Sequence, residues 1–447
     1  MSKNEIFLCN NCGNEFTKWS GKCQACGQWN SLTQVTSLAY PKSKQKNIFR
    51  SAKTAVLTPS KALTEAQAFT FPTKLTELDR VLGPGLTKGG VYLIAGQPGI
   101  GKSTLLTQLA ISISPQPPLK LRGGEGGDTV LYVCSEENPA QVATRISRLN
   151  TTPSDHVHLL NTSSVEVIIS SLSLNSYSLV IVDSIQSVFT DKNPTTAGSP
   201  SQIRDSANLL IQTAKETNTP VILVGHVTKE GTIAGPKLLE HMVDTVMELT
   251  GDRQHELRLL RGLKNRFGPT DETGIFRMTS LGLEEVSDPS RFLLADRQGD
   301  IPGSALALIM EGTRPITAEV QALVSPTTIP IPRRVAKGIS TAQLQLICAI
   351  VSKHLKIPLS EKDVFVNVTG GISLKEPGAD LAIALAIISS AKNKPLPKNS
   401  ICFGELGLLG EIRRVSFQDK RIKEAKALGY QSIISPASHK HLKQVIF

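Results

Sequence analysis

The chain has few aromatic residues and no long apolar segment. Phe, Trp and Tyr make up 4% of its 447 residues, and two of them are tryptophans. The longest uninterrupted apolar run, Leu381 to Ile388, is far shorter than the roughly 20 residues that a membrane-spanning helix needs. We also expect no secretory or transit segment ahead of Cys9. These absences predict a cytoplasmic protein that does not contact a membrane.

Acidic residues are scarce near the N-terminus. Residues 1–61 hold nine Lys or Arg but two acids, while the whole chain carries a formal net charge of +11. Such an asymmetry indicates a polyanionic partner. The alternative is a solvated basic linker that has no partner.

Cysteine is also infrequent, with seven in the chain. Cys134, Cys348 and Cys402 stand singly among apolar neighbours, which in a reducing compartment predicts small buried residues rather than disulfides.

The remaining cysteines form two CxxC pairs separated by ten residues. Each pair turns two sulfurs toward one point, and Gly13 and Gly27 after the pairs allow the backbone to turn. The spacing therefore predicts a closed, structural Zn²⁺ site. Its ligands would be Cys9, Cys12, Cys23 and Cys26. Four unligated thiols and an iron–sulfur site are the alternatives.

A complete phosphate-binding pattern, G-x4-G-K-[ST], follows at residues 96–103. The segment 90–95 before it is typical of a buried strand, and the segment 102–113 after it is typical of a helix. This context predicts a site for ATP and Mg²⁺, in which Lys102 neutralises phosphate charge and Ser103 ligates the metal. The predicted binding residues are Gly96, Gln97, Pro98, Gly99, Ile100, Gly101, Lys102, Ser103 and Thr104. A chance glycine-rich turn is the alternative.

Strand-like segments at 129–134, 178–182 and 221–225 alternate with helical patterns after this loop. Such alternation predicts an α/β fold with a mostly parallel sheet and a ligand at the carboxyl ends of its strands. Two loops after these strands, at 191–201 and 229–237, are rich in small residues. They fit loops that order on a ligand, or plain surface turns.

Polar residues follow three of the predicted strands. Asp183 ends a run of four apolar residues, which predicts a carboxylate beside Mg²⁺. Glu136 is predicted to orient the attacking water, and its neighbour Glu137 fits a helix N-terminus. His226 ends the third strand, where spacing alone favours a structural role over sensing of the γ-phosphate.

Several segments together resemble the bacterial RadA (Sms) family of DNA-repair ATPases. They are the CxxC pairs with Trp-Ser-Gly-Lys-Cys between them, the phosphate-binding loop, Gly225-His-Val-Thr-Lys-Glu-Gly231 and Lys264-Asn-Arg-Phe-Gly268. The resemblance runs from Cys9 nearly to the C-terminus. It implies a four-cysteine zinc finger at 1–32, a basic linker at 33–66, a RecA-like P-loop ATPase domain at 67–288 and a Lon-protease-like α/β domain at 289–447.

The resemblance also implies a function. Members form homohexameric rings with ATP between subunits, so Lys264 and Arg266 would act in a neighbour's site, unless they are only a basic strand end. Glu136 would orient water and His226 would sense phosphate, while the loops at 191–201 and 229–237 would line a pore that holds single-stranded DNA. The chain would be a DNA-dependent ATPase that promotes branch migration of branched DNA with a RecA-type recombinase. An ATP-gated DNA-binding scaffold without motor activity is the alternative.

A second alternative is an ATP-dependent Lon-like protease. Ser-Lys catalysis needs both members of the pair. Ala379 stands where the protease motif carries Ser, and Asp419, with Lys420 beside it, falls near where the motif carries Lys. We therefore expect an inactive domain that supports ring assembly and contacts duplex DNA. The basic residues expected at this contact are Arg314, Arg333, Arg334 and Lys337.

Overall fold

The computed structural model describes most of the chain and forms three sheet-centred regions. The described residues are 5–9, 15–16, 18–24, 27–36, 70–113, 129–150, 154–226, 237–251, 255–299 and 301–445. Cys12, Cys26 and residues 227–236, which include most of the second predicted loop, lie outside these ranges.

The N-terminal region is a small antiparallel sheet. Its strands are β1 (Glu5–Cys9), β2 (Glu15–Phe16) and β3 (Leu32–Thr36), with β1 in the middle. Its buried cluster contains Cys9, Cys23 and Leu32, with Phe7 and Phe16 packed beside them. A core of this size supplies little hydrophobic stabilisation, so the module depends on a further constraint.

The central region is a large sheet with helices on both faces. Its strands are β4 (Thr70–Phe71), β5 (Leu86–Thr87), β6 (Val91–Gly96), β7 (Val130–Cys134), β8 (Val157–Leu160), β9 (Leu179–Asp183), β10 (Val221–His226), β11 (Thr245–Thr250), β12 (Leu257–Asn265), β13 (Thr273–Thr279) and β14 (Gly282–Glu285). Its helices are α1 (Thr76–Leu82), α2 (Lys102–Ser112), α3 (Pro139–Leu149), α4 (Val165–Leu174), α5 (Pro200–Thr217) and α6 (Lys237–Met242).

The strand order is β14-β13-β12-β11-β6-β10-β9-β7-β8, with β4 and β5 paired separately. Strands from β11 to β8 run parallel, and β11 to β14 are antiparallel. Successive residues of β6 are buried on opposite faces, against α1, α2 and α3 on one side and α4, α5 and α6 on the other. The predicted strands and the helix after the phosphate-binding loop are confirmed, with ends shifted by about one residue.

The C-terminal region is a second α/β layer. Its helices are α7 (Pro289–Leu293), α8 (Thr341–Leu355), α9 (Asp380–Lys392) and α10 (Gln418–Ala427). Its strands are β15 (Ser304–Glu311), β16 (Arg314–Pro326), β17 (Arg334–Lys337), β18 (Lys362–Val368), β19 (Ser400–Cys402), β20 (Glu405–Leu406), β21 (Ile412–Arg413) and β22 (Ser432–Ile434). The main sheet has the order β17-β18-β16-β15-β19-β22. The apolar run Leu381 to Ile388 is the buried part of α9, which packs against β15, β16 and α8.

A buried ion pair joins the central and C-terminal regions. Arg314 Nη1 lies 2.7 Å from Glu77 Oε2, and these side chains are 11% and 3% exposed. Glu77 also accepts a hydrogen bond from the Ile275 amide at 2.9 Å. At the same contact, a Cβ on Gly312 would lie 1.9 Å from the carbonyl oxygen of Asp271, so the two backbones touch.

These contacts correct part of the predicted DNA surface. Arg314 is an interdomain residue and is not available to duplex DNA. Arg334 donates to the carbonyl oxygens of Lys362 and Leu359 within its own domain, so it too has a structural partner. Arg333 and Lys337 are exposed, and their contact with DNA stays a prediction.

We expect Glu77→Gln to destabilise the protein by about 3–5 kcal/mol, because it leaves the Arg314 guanidinium buried without a counter-charge. The midpoint of chemical denaturation measures this loss. The matched control is Arg204→Gln, which removes one partner of an exposed pair with Asp205 and should cost about 1 kcal/mol or less. Equal effects of the two substitutions would contradict a stabilising interdomain pair.

Candidate active site

The phosphate-binding loop connects the end of β6 to the start of α2. Gly99 and Gly101 have φ values of +75° and +115°, a region that suits glycine. A Cβ on Gly101 would also lie 2.6 Å from the Cε of Met278, so the position has no room for a side chain. The predicted residues from Gly96 to Thr104 therefore form one continuous strand–loop–helix turn, and the N-terminus of α2 stands at the loop, where it is able to bind an anion.

Lys102 folds back onto this loop. Its Nζ donates to the carbonyl oxygens of Gly96 and Gln97 at 2.9 and 3.1 Å and lies 3.1 Å from His226 Nδ1. The residue is 4% exposed. Burial lowers the pKa of Lys102 to about 8, although the carboxylates of Asp183 and Glu136 act in the opposite direction. Phosphate oxygens would replace the two carbonyl partners and favour the charged form.

Glu136 and His226 meet beside Lys102. The distance from His226 Nε2 to Glu136 Oε2 is 3.1 Å, so the imidazole bridges the lysine and the carboxylate. Partial burial by itself raises the pKa of Glu136, but hydrogen bonds from His226 and Ser184 outweigh it and the net shift is downward. An ionised carboxylate at this strand end is able to accept a hydrogen bond from water.

Asp183 is the last residue of β9 and lies 6% exposed at the same edge of the sheet. One carboxylate oxygen accepts a hydrogen bond from the Tyr132 hydroxyl at 2.7 Å. Burial, followed by the charge of Asp183, raises the pKa of Tyr132, so the phenol stays protonated and keeps donating. The Asp183 carboxylate and the Ser103 hydroxyl are hard oxygen donors of the kind that Mg²⁺ prefers, so these residues fit the metal.

Sequence reasoning missed Arg258. This side chain from β12 is 5% exposed, and its Nε donates to the carbonyl oxygen of Ile100 in the phosphate-binding loop at 3.1 Å. Its Nη1 donates to the Leu257 carbonyl at 2.9 Å. The sequence offers little signal for it, because β12 carries three cations, Arg258, Arg261 and Lys264, and residue type does not show which of them is buried and needs polar partners.

The Lys264 to Gly268 segment lies at the opposite end of the sheet from this loop. Asn265 pairs with Thr245, which pairs with Tyr92, four residues before Gly96 in β6. At the usual rise of a strand this separation is about 13 Å along the sheet. Lys264 and Arg266 therefore lie away from the phosphate-binding loop of their own subunit.

Within this segment the two cations have different surroundings. Lys264 Nζ donates to the carbonyl oxygens of Glu240 and Val243 at 2.6 and 2.7 Å. Partial burial, followed by the charge of Arg266, lowers the pKa of Lys264. Arg266 is 56% exposed and pairs with Asp244 at 3.2 Å. Arg266 thus presents more of its charge to solvent than Lys264 does.

Three parts of the chain match models of known domains. Residues 7–34 match the rubredoxin metal binding domain, residues 58–232 match an AAA domain, and residues 336–439 match subunit ChlI of Mg-chelatase. The match at 58–232 covers the phosphate-binding loop and the strand ends around it.

Curated relatives cover nearly the whole chain. The DNA repair protein RadA of Halalkalibacterium halodurans is 42% identical over 97% of this chain and 93% of its own length. The RadA proteins of Pseudomonas aeruginosa and Campylobacter jejuni are 42% and 43% identical over 96% and 98% of this chain, and over 92% and 95% of their own lengths. This chain belongs to the RadA family of DNA repair proteins. Its three-part α/β architecture, with a P-loop ATPase domain in the centre, is confirmed.

A solved structure of another ATPase domain overlaps 51% of this chain and 96% of its own length. The TM-score is 0.42 at 15% identity, and this similarity carries no weight in the assignment.

The N-terminal module brings its two described cysteines together. Cys9 and Cys23 are 1% and 0% exposed and share one buried cluster. Gly27 has a φ of +75°, as expected for a turn after the second CxxC pair. Buried, adjacent thiols fit a thiolate metal site, while the other predicted ligands, Cys12 and Cys26, lie outside the described residues.

The single cysteines are buried as predicted. Cys134, Cys348 and Cys402 are 3%, 4% and 1% exposed. Burial raises the pKa of the Cys134 thiol to about 11, so it is neutral at physiological pH and unreactive.

An ion pair fills the part of the C-terminal domain that resembles a protease site. Ala379 is completely buried, while Asp419 and Lys420 are exposed. Arg421, which is also completely buried, makes two hydrogen bonds of 2.8 Å to the Glu376 carboxylate. Ala379 and Asp419 therefore do not form a reactive pair.

The first predicted loop, at 191–201, receives hydrogen bonds from one buried side chain. Gln202, which is 1% exposed, donates through Nε2 to the carbonyl oxygens of Thr190, Asn193 and Thr195 at 3.1 to 3.3 Å. Its role in a pore stays a prediction. Among the described residues, no helix has both the length and the apolar character that a membrane crossing requires.

The position of Lys102 predicts how ATP binding depends on pH. With a pKa of about 8 in the free protein, Lys102 is charged below that pH, and ATP affinity should be constant there. Above it, binding to phosphate requires proton uptake, so affinity should fall by up to about tenfold per pH unit. Calorimetry in buffers of different ionisation enthalpy measures the uptake. Lys102→Arg, which stays charged, should bind with a flat pH profile. A wild-type affinity that rises above this pH would contradict the assignment.

Proposed function

We propose that this chain is a DNA-dependent ATPase of recombinational DNA repair. It acts as a homohexameric ring that translocates on single-stranded DNA and promotes branch migration together with a RecA-type recombinase. The observation that carries this proposal is the position of Lys264 to Gly268 at the far end of the sheet from the phosphate-binding loop. If this segment completes the nucleotide site of a neighbouring subunit, ATP hydrolysis depends on assembly of the ring.

In this proposal Lys102 turns from the loop carbonyls to the β- and γ-phosphates. Ser103 and Asp183 would hold Mg²⁺, which would neutralise charge on the same phosphates. Glu136 orients water for attack on the γ-phosphorus. Because Lys102 and Glu136 contact different nitrogens of His226, movement of the lysine would leave the imidazole with Glu136 as its remaining partner and Nδ1 open to a phosphate oxygen. This contact supports a phosphate-sensing role for His226.

In this proposal the neighbouring subunit contributes a positive charge to the transition state of hydrolysis. As the bond to the γ-phosphorus breaks, negative charge develops on the phosphoryl oxygens and on the leaving oxygen. Arg266 offers a half-exposed guanidinium that is able to exchange Asp244 for phosphate. Lys264 donates hydrogen bonds to the carbonyl oxygens of Glu240 in α6 and Val243 just after it, so we assign it chiefly to holding the segment in shape.

DNA is the partner that the charge distribution supports. The net charge of +11 and the basic first 61 residues favour binding to phosphates, with counterion release and a strong salt dependence. In the C-terminal domain, the buried Glu376–Arg421 pair supports a scaffold without proteolytic activity. Zn²⁺, held by Cys9, Cys12, Cys23 and Cys26, would provide the missing stabilisation of the N-terminal module.

The test is ATP hydrolysis with and without single-stranded DNA at two salt concentrations, roughly 50 and 200 mM. We expect DNA to stimulate turnover, with the stimulation weaker at high salt. Lys102→Ala should abolish hydrolysis and leave the metal content unchanged, because the phosphate ligand and the cysteine module are separate. An ATP turnover rate that does not change when single-stranded DNA is added would refute the proposal. Displacement of a strand from a forked duplex distinguishes a motor from a scaffold.

Arg266→Ala should lower hydrolysis by about 10³-fold while nucleotide binding to the variant's own loop persists. In rings mixed with wild type, activity should fall faster than the variant fraction, because each variant subunit disables a neighbour. The matched control is Arg277→Ala, which removes a half-exposed arginine paired with Glu256, the residue before β12, and should preserve activity. A linear decrease on mixing would rule out action in trans.

A further inference from the structure

Both tryptophans of the chain lie exposed on the N-terminal module. Trp19 and Trp29 are 60% and 68% exposed. A Cβ on Gly21 would lie 3.9 Å from Cη2 of Trp19 and 3.8 Å from Cζ3 of Trp29, so the two indoles flank this glycine. A methyl group at Gly21 would make ordinary van der Waals contact with both rings, so the two indoles lie near each other. We call Trp19, Trp29 and Gly21 the tryptophan face.

The module does not use these rings for its own core. Its buried cluster consists of Cys9, Cys23 and Leu32, with Phe7 and Phe16 against it. Tryptophan buries more apolar area than other side chains, and a small module that exposes two of them forgoes much of the stabilisation available to it. Paired exposed aromatics on one side of a domain are typical of a binding surface.

Positive charge surrounds the tryptophan face. Lys18 and Lys22 are exposed beside it, and Lys22 Nζ lies 5.5 Å from the Trp29 ring centroid. Between Glu15 and Glu65 the sequence contains eight Lys or Arg and no Asp or Glu. The face therefore combines planar apolar groups with cations and has no carboxylate from its own segment of chain.

The aromatic rings and the cations of the tryptophan face together indicate the class of ligand that it binds. The cations suit a polyanion, and the rings suit a ligand with exposed planar faces. Single-stranded nucleic acid has both, since its bases stack on aromatic side chains while its phosphates contact lysine. A duplex hides the faces of its bases, and an acidic peptide satisfies the cations but leaves the two indoles without stacking partners.

We propose that the tryptophan face, with Lys18 and Lys22, binds single-stranded DNA by stacking its bases on Trp19 and Trp29. This inference rests on the proposed DNA-dependent activity and assigns a ligand to the metal-binding module. The module would hold the strand outside the ATPase domain, so its loss would weaken DNA binding without removing the nucleotide site.

Intrinsic fluorescence tests the inference directly, because the whole chain has these two tryptophans. Addition of an oligodeoxythymidine of about 20 nucleotides to the full-length protein should quench the emission, since stacking on a base quenches indole. Heparin, a polyanion without bases, and a duplex of the same length should quench much less. Equal quenching by heparin would mean that charge alone moves the signal, and would overturn the proposal.

Substitutions test the contribution to affinity, measured by anisotropy of the labelled oligonucleotide. Trp19→Ala and Trp29→Ala should each weaken binding about fivefold or more, and the Phe variants should restore most of it. Leu174→Ala, at a residue 82% exposed on α4, is the matched control and should bind like wild type. Metal content should stay constant in all of them, which excludes unfolding of the module.

The outcomes separate this inference from the proposed function. If single-stranded DNA stimulates hydrolysis but the Ala variants bind it like wild type, the face is not a DNA site and the proposed function stands. If the variants keep DNA binding and lose binding to a recombinase filament, the face contacts protein and the inference fails. If DNA does not stimulate hydrolysis in any variant, the proposed function itself fails.

Discussion

The pairing of β6 with β10 fixes the geometry on which the nucleotide site depends. His226 stands in register with Gly96, so the ladder of hydrogen bonds places the imidazole beside the phosphate-binding loop. Lys102, the first residue of α2 after that loop, lies 3.1 Å from His226. Glu136, which follows β7, contacts the other nitrogen of the same imidazole. A shift of β10 by one residue would turn His226 to the other face of the sheet and separate all three groups.

Strand β12 connects the two ends of this site. At one end Arg258 donates to Ile100 in the phosphate-binding loop, and at the other Asn265 begins the segment that carries Arg266. A strand paired on both sides is stiff along its axis, because sliding it would break every ladder bond. A change in the phosphate-binding loop would therefore reach Arg266, which we propose acts in a neighbour's site, through this one strand.

Sequence patterns predict what is local and miss what joins distant segments. An apolar run that ends in a polar residue identified Asp183, Glu136 and His226, because this pattern lies within one strand. Arg258 and Ile100 are 158 positions apart, and Arg314 and Glu77 are 237 apart, so no period or motif relates them. The prediction for Arg314 was wrong for the same reason, since residue type gives charge but not burial. The roles of Lys264 and Arg266 came from family resemblance, and the structure contributes their distance from the loop.

Helix α1 is short, yet it links the segment that carries Arg266 to the C-terminal domain. The side chain of Asn265 donates to the Leu82 carbonyl at the end of α1, at 3.0 Å. One turn earlier on the same helix, Glu77 holds Arg314 of the C-terminal domain. Helix α1 therefore contacts both the segment that carries Arg266 and the C-terminal domain. If the C-terminal domain supports ring assembly, as we expect from the family resemblance, its contacts would help to place Arg266 relative to the next subunit. The buried ion pair between Arg314 and Glu77 would then lie between the part of the chain that assembles the ring and the part that hydrolyses ATP.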